Sequence, residues 1–369
     1  MSWPTVSFVD ALADRTSMGK KVPSSDYQDS GVAAVVDQGQ GLVAGYTDDL
    51  ALVHQESLPV IVFGDHTRAL KYVDFPFCMG ADGVKVLKPA ANFDPKFLYY
   101  YLMSRDIPSA GYSRHFKFLK ELEIPVPPLA EQERIAEVLD RVDASRAKRR
   151  QALALLNDLA QSVFLDMFGD PVTNPKGWPL KSVGEIGRVI TGNTPSRTDQ
   201  NNFGTAIEWI KSDNIDPSRN MVTAASEGLS DYGRRSARVV GPGALLVTCI
   251  AGSPNSIGNV AMTDRTVAFN QQINALVPVV SDSWFLYMQF KVGKVLVQDQ
   301  STGGMKGLVS KSRFASVALP VPPLDLQREF AKRVEAIEQE KAKHRGAVAK
   351  FDELFRAVQN RAFAGTLFT

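Results

Sequence analysis

The chain has 369 residues, 44% apolar and 22% charged, the balance of a soluble globular protein of two or three domains. Forty-two Lys and Arg against 40 Asp and Glu leave a formal net charge of +2, so any nucleic-acid site must come from local clustering and not from bulk charge. No apolar run reaches the length of a membrane span, Met1-Ser2-Trp3-Pro4 lacks a charged-then-apolar leader, and Cys78 and Cys249 lie far apart without a CxxC context, so a cytoplasmic protein with two buried, reduced thiols is expected.

Residues 1–123 form a first variable block. Trp3–Val9 alternates weakly, and Lys20–Asp26 reads as a polar loop. Short strand-like runs follow at Val32–Val36, Pro59–Phe63 and Gly83–Leu87, separated by turn residues such as Gly64-Asp65-His66. Phe93-Asp94-Pro95 then introduces an aromatic-rich helix at Lys96–Leu102, and a Gly- and basic-rich segment runs from Ala110 to Lys117.

Residues 124–169 are the first spacer helix. Pro127-Pro128 cannot sit inside a helix or a central strand and marks a stiff lead-in. After it, Ile135, Leu139, Val142, Arg146, Arg149, Leu153, Leu156, Ala160, Val163 and Met167 alternate spacings of four and three. That is the seam of a long helix built to pack on a like helix. At 1.5 Å per residue, some forty residues make a rod of about 60 Å.

Residues 170–318 repeat the grammar of the first block. Trp178-Pro179 echoes Trp3-Pro4, and Thr191–Arg197 is a loop. Ile207–Lys211 is a strand candidate, Gly243–Thr248 matches Pro59–Phe63, and Gly258–Ala261 takes the place of Gly64–Thr67. Gln272–Pro278 matches Gly83–Pro89, and Ser283–Met288 matches the Lys96–Leu102 helix. Residues 319–369 then repeat the spacer. Leu319-Pro320-Val321-Pro322-Pro323-Leu324 falls on Ile124–Leu129 and the register holds without a gap, Gln327 on Gln132 and Phe363 on Phe168. Its seam is Phe330, Val334, Ile337, Lys341, His344, Val348, Phe351, Phe355, Val358 and Ala362. The expected fold class is α+β: two α/β globules alternating with two long helices that pair as an antiparallel coiled coil, with pseudo-twofold symmetry. Leu139, Val142, Leu153, Leu156, Val163, Val334, Ile337, Val348, Phe351 and Val358 are its expected coiled-coil and partner contacts.

The duplicated Pro-Val-Pro-Pro-Leu elements, with Glu131-Gln132 and Gln327, resemble the specificity (S) subunit of type I restriction-modification systems over the whole chain. Trp178–Ile186 with Thr191–Pro195 looks like the start of a target recognition domain, and Ser301–Gly304 with Lys306-Gly307 looks like its end. The second copy departs from the pattern with Leu326 and Arg328-Glu329. The resemblance implies that each globule reads one half of a bipartite, asymmetric DNA site and that the helices act as a ruler. It also implies a chain with no chemistry and no cofactor of its own. S-adenosylmethionine would belong to two adenine-methyltransferase partners, and ATP with Mg²⁺ to the motor-nuclease subunits of a restriction form.

Loop cations are the candidate DNA contacts, because phosphate contacts position such a protein and bidentate side chains specify bases. They are Lys20, Lys21, Arg68, Lys71, Arg114 and Lys117 in the first globule, and Arg197, Lys211, Arg234, Arg235, Arg238, Lys306 and Lys311 in the second. Tyr112, Ser212, Asn214, Asn270 and Gln271 are base-edge candidates. The seam cations Arg146, Arg149, Lys341 and His344 read either as a polar layer that meets phosphate or a partner, or as cations beside Asp143, Glu338 and Glu340. The four histidines lack metal-ligand spacing, and neither GxxxxGK[ST] nor an Asn-Pro-Pro-aromatic element is present. The rival readings are a stand-alone DNA nuclease with an unrecognised site and a coiled-coil protein with no DNA role.

Overall fold

A computed structural model describes residues 3–109, 111, 113–302 and 307–368. Two compact units divide the chain, Met1–Gln151 with Arg345–Thr369, and Ala152–His344. Each holds one globule, the start of one long helix and the end of the other.

In the first unit the central strand is Val60–Gly64, buried along its whole length. It pairs antiparallel with Leu70–Val73 and Val84–Pro89, and the latter with Leu12–Asp14. Side chains alternate across this sheet with a period of two. Ile61, Phe63 and Leu87 join the core shared with the helices, whereas Val60, Val62, Val84 and Val86 face a second sheet through Val36, Phe77 and Met79. In that second sheet Ala33–Val36 runs parallel to Phe77–Met79 and antiparallel to Gly45–Thr47.

The second unit has the same order. Leu245–Thr248 lies between Val260–Met262 and Ile273–Pro278, with Gly187–Thr191 beyond the latter. Phe203–Ile210 runs parallel to Val267–Phe269, as Ala33–Val36 does to Phe77–Met79. One expected correspondence is corrected. Val260-Ala261 is strand and stands where Leu70–Val73 stands in the first globule, because both pair with the central strand. Short helices such as Phe116–Lys120, Asp231–Ser236 and Lys311–Ala315 had no expectation in the sequence. At five or six residues they are too short to show a helical period.

Both globules are closed at the base by the same clamp. Thr5–Ser7 pairs with Glu123–Pro125 in one, and Leu180–Ser182 with Ala318–Pro320 in the other. Val126 N–H donates to the Pro4 carbonyl and Val321 N–H to the Pro179 carbonyl, each at 2.8 Å. The tryptophan-proline echo thus marks where each globule begins.

A buried glutamine then fixes globule to helix, twice over. The Gln132 amide nitrogen donates to the Pro127 carbonyl at 2.9 Å while its oxygen accepts Asp94 N–H at 2.9 Å. Gln327 donates to Pro322 at 2.8 Å and accepts from Asp282 at 2.9 Å. Asp94 and Asp282 are themselves the N-caps of the globule helices Pro95–Met103 and Ser283–Val292. Both glutamines are 1% exposed, so an apolar replacement leaves a buried N–H and a buried carbonyl without partners. Gln327→Leu is expected to destabilise the second unit by about 1–3 kcal/mol. Chemical denaturation checks this, and a loss near zero would show that the bonds are dispensable.

The long helices run Leu129–Phe168 and Leu324–Phe363, 40 residues each. Both stop at a glycine in the left-handed region, Gly169 (φ 80°) and Gly365 (φ 71°). In the first unit Ile135 and Leu139 share a core with Phe355 and Ala362, with Val142 and Val358 packed against it. In the second, Ala160, Phe164 and Phe168 share a core with Phe330, Val334 and Ile337, with Leu156 and Val163 against it. In each unit the start of one helix meets the end of the other, so the pair is antiparallel. Leu153, Val348 and Phe351 are half-buried.

Two of the seam cations, Arg146 and Lys341, are held within the protein. Arg146 bonds Asp143 and Asp352, each at 2.7 Å, and its guanidinium lies 4.4 Å over the Phe355 ring. Lys341 is 4% exposed and paired with Glu338. For these two positions the reading beside carboxylates prevails, because a buried cation needs a partner.

Candidate nucleic-acid interface

The expected DNA contacts in the first globule sort by what already holds them. Lys20 and Arg114 are exposed. Lys21 is paired with Asp82, and the Asp82 carboxyl is held below its ordinary range first by Lys21 and then by the charges of Arg114 and His66. The fold therefore brings Lys21 and Arg114 to one place, around the turn before Gly83. Arg68, with φ 63°, spends its guanidinium on the Ile107 carbonyl at 2.8 Å, and the Lys117 ammonium lies 4.9 Å over the Phe118 ring.

Lys71 is a correction. It is 4% exposed, its ammonium donates to the Asp37 carbonyl at 2.7 Å, and burial lowers its pKa against the pull of the Asp37 carboxylate. It supports the sheet and offers no charge to solvent. Its position inside strand Leu70–Val73 alternates inward, which only the pairing reveals. Tyr112 and Lys306 lie outside the described residues.

The second globule organises its polar groups around the Thr191–Arg197 loop. Asn193 is the hub: its side chain donates to the Ser236 carbonyl at 2.9 Å and accepts Arg238 N–H at 2.7 Å, while its own carbonyl accepts the Trp209 indole N–H at 3.2 Å. Gly192 is required beside it, since a Cβ there would meet the Asn270 carbonyl oxygen at 2.1 Å. Thr194 donates to the carboxamide oxygen of Gln271, an exposed residue.

Two groups of cations flank that loop. Arg197 and Lys211 share Glu227, at 3.2 and 2.7 Å, and lie 5.4 and 5.3 Å from the Trp209 ring. The Lys211 and Arg197 hydrogen bonds hold the Glu227 carboxyl below its ordinary range. Arg188, Arg238 and Lys311 line a separate open cleft between strands Gly187–Thr191 and Val239–Val240. Arg188 had no place among the expected contacts. Arg188 is exposed beside the buried Val189, and the adjacent apolar pair Val189-Ile190 gives no alternation in the sequence that would have marked it. Arg234 and Arg235 are exposed on the short helix leading into Arg238.

Other base-edge candidates are consumed internally. Asn214 accepts Lys211 N–H at 3.0 Å and donates to Thr223 and to the Ala224 carbonyl. Ser212 donates to Gln272 at 3.2 Å, and Asn270 is buried with its amide on the same Gln272 oxygen at 2.8 Å. Among the described residues no group of three or more His, Cys, Asp or Glu is placed to hold a metal ion, and no helix is long and apolar enough to cross a membrane. Cys78 and Cys249 are both buried, and burial pushes the Cys249 thiol up to about 12.

Duplicated globules, each pinned to paired helices and each carrying exposed loop cations, define a modular recognition scaffold. A family described as the type I restriction modification DNA specificity domain matches residues 14–155 and 175–347, and the chain belongs to that family. It is 29% identical over 169 residues to the specificity subunit of the type I restriction enzyme HindI of Haemophilus influenzae, covering 44% of this chain and 36% of that one. It is 23% identical over 334 residues to the EcoR124I/EcoR124II specificity subunit of Escherichia coli, covering 84% of this chain and 80% of that one. In fold it is similar to the type I S subunit from M. genitalium, with a TM-score of 0.60 at 15% identity, over 98% of this chain and 96% of that one.

Proposed function

We propose that this chain is the sequence-recognition and scaffold subunit of a cytoplasmic type I restriction-modification complex. Each globule reads one half of a bipartite, asymmetric DNA site. The helices dock two copies of an adenine methyltransferase and set the separation of the half-sites, and the chain does no chemistry itself. S-adenosylmethionine belongs to those partners, as do ATP and Mg²⁺ where motor-nuclease subunits join.

One observation carries the reading. The scaffold is repeated to the level of single hydrogen bonds, Gln132 with Asp94 and Gln327 with Asp282, while the loops around the globules differ in charge and chemistry. Equal scaffolds suit two copies of one partner. Unequal loops suit two different half-sites, since base contacts sit on loops that vary over a rigid frame.

Methylation mapping in cells that carry this chain and its neighbouring methyltransferase tests the proposal. Methylated adenines are expected at a two-part sequence with a fixed gap. Removing one heptad from each long helix shortens the rod by about 10 Å. That is close to three base-pair steps of about 3.4 Å, so the gap is expected to change. An unchanged gap refutes the ruler, and methylation without any two-part sequence refutes the proposal.

A further inference from the structure

The cations of the second globule differ in whether a carboxylate already holds them. Arg188, Arg238 and Lys311 share a cleft whose other lining residues are uncharged, and none of the three makes an ion pair among the described residues. Arg197 and Lys211 share Glu227. Asn193 joins the two groups, accepting Trp209 beneath Arg197 through its carbonyl and Arg238 N–H through its side chain.

We propose a division of labour that rests on the DNA-recognition reading above: the carboxylate-free cleft seats phosphates of one DNA strand, and Arg197 reads a base edge. A cation without a partner gives up only water and counterions when it meets a phosphate, and the released ions make such contacts strongly salt-dependent. A cation already paired with a carboxylate gains little net charge neutralisation from a phosphate, so it is poorly suited to that task. It is suited to reading. The Arg197 guanidinium is backed by Trp209 and Phe203, each at 5.4 Å, and its one bond to Glu227 comes from Nη2. The remaining donors keep the fork that fits guanine O6 and N7, and the orientation is set before DNA arrives. Asn193 fixes the reader relative to the phosphate seat, as register along a duplex demands.

The test uses the full chain assembled with its neighbouring methyltransferase and measures binding to specific and unrelated duplexes from low to moderate salt. Neutralising the cleft, R188Q with R238Q and K311Q, is expected to reduce the slope of log affinity against log salt by about 2 to 3. Specific and unrelated DNA should lose affinity by the same factor, and the methylated sequence should stay the same. A control that removes charge elsewhere in the second globule, K181Q with R219Q, should leave the slope near wild type. R197Q is expected to keep the slope and to lose about 5- to 150-fold of discrimination at one base pair. Should the triple variant melt differently from wild type, K311Q alone carries the measurement, with a slope change of about 0.9. Equal slope losses in cleft and control variants overturn the phosphate seat. Unchanged discrimination in R197Q overturns the reader. A wild-type complex that distinguishes no sequence sinks the parent reading, and that outcome needs no variant to detect.

Discussion

Exchanging residues 172–318 for the matching block of a relative with a different target is expected to change one half of the methylated sequence and leave the other half and the gap intact. The joints are suited to the exchange. Val172 follows the Gly169 turn and is exposed, and Ala318 opens the clamp strand that pairs with Leu180–Ser182. Clamp bonds are backbone to backbone, so they form whatever side chains the new block brings. Gln327 stays behind on the helix and needs only the backbone N–H at the position of Asp282. The incoming block must still supply apolar groups where Phe285 and Leu286 meet Phe164, Phe168 and Phe330. Sequencing that resolves methylated adenines reads the outcome, and a change in both halves or in neither would falsify the assignment of one half-site to each globule.

Phe330→Ala is expected to cost the second unit about 3–5 kcal/mol. Phe330 is fully buried, with its ring 5.6 Å from Phe164 and 5.5 Å from Phe168 in edge-to-face contacts, and Phe285 lies 4.9 Å from Phe168. The substitution opens a cavity where the start of one helix, the end of the other and the globule meet. Neighbouring rings are rigid and fill such space poorly. Its repeat counterpart in the first unit, Ile135, is equally buried but lies in a core of mixed aliphatic and aromatic groups. Ile135→Ala removes fewer atoms and is expected to cost the first unit about 2–5 kcal/mol. Calorimetry of both variants should move different parts of the unfolding trace, because two compact units need not melt as one. A shift below a degree for Phe330→Ala would show that the aromatic cluster does not hold helix to globule.

The helices and the duplication were legible in the residues alone. A period of three and four is a local property, and so are a double proline before a helix and a glycine after it, so Leu129–Phe168 and Leu324–Phe363 lie where the seam predicts. The buried runs Val60–Phe63 and Leu245–Thr248 were legible as strands for the same reason. Which strand lies beside which was not, because Ala33–Val36 meets Phe77–Met79 in parallel only through a crossover that no local pattern records.

Charge was the least legible property. Lys21 finds Asp82 across 61 residues, Lys71 reaches the Asp37 backbone across 34, and Arg197 finds Glu227 across 30. In one dimension these cations look alike. Folding gives some a carboxylate, buries one, and leaves Arg188, Arg238 and Lys311 together with no carboxylate in their cleft. Periodicity follows from bonds between near neighbours along the chain, whereas the field at a side chain is summed over groups that only tertiary contact brings within a few ångströms.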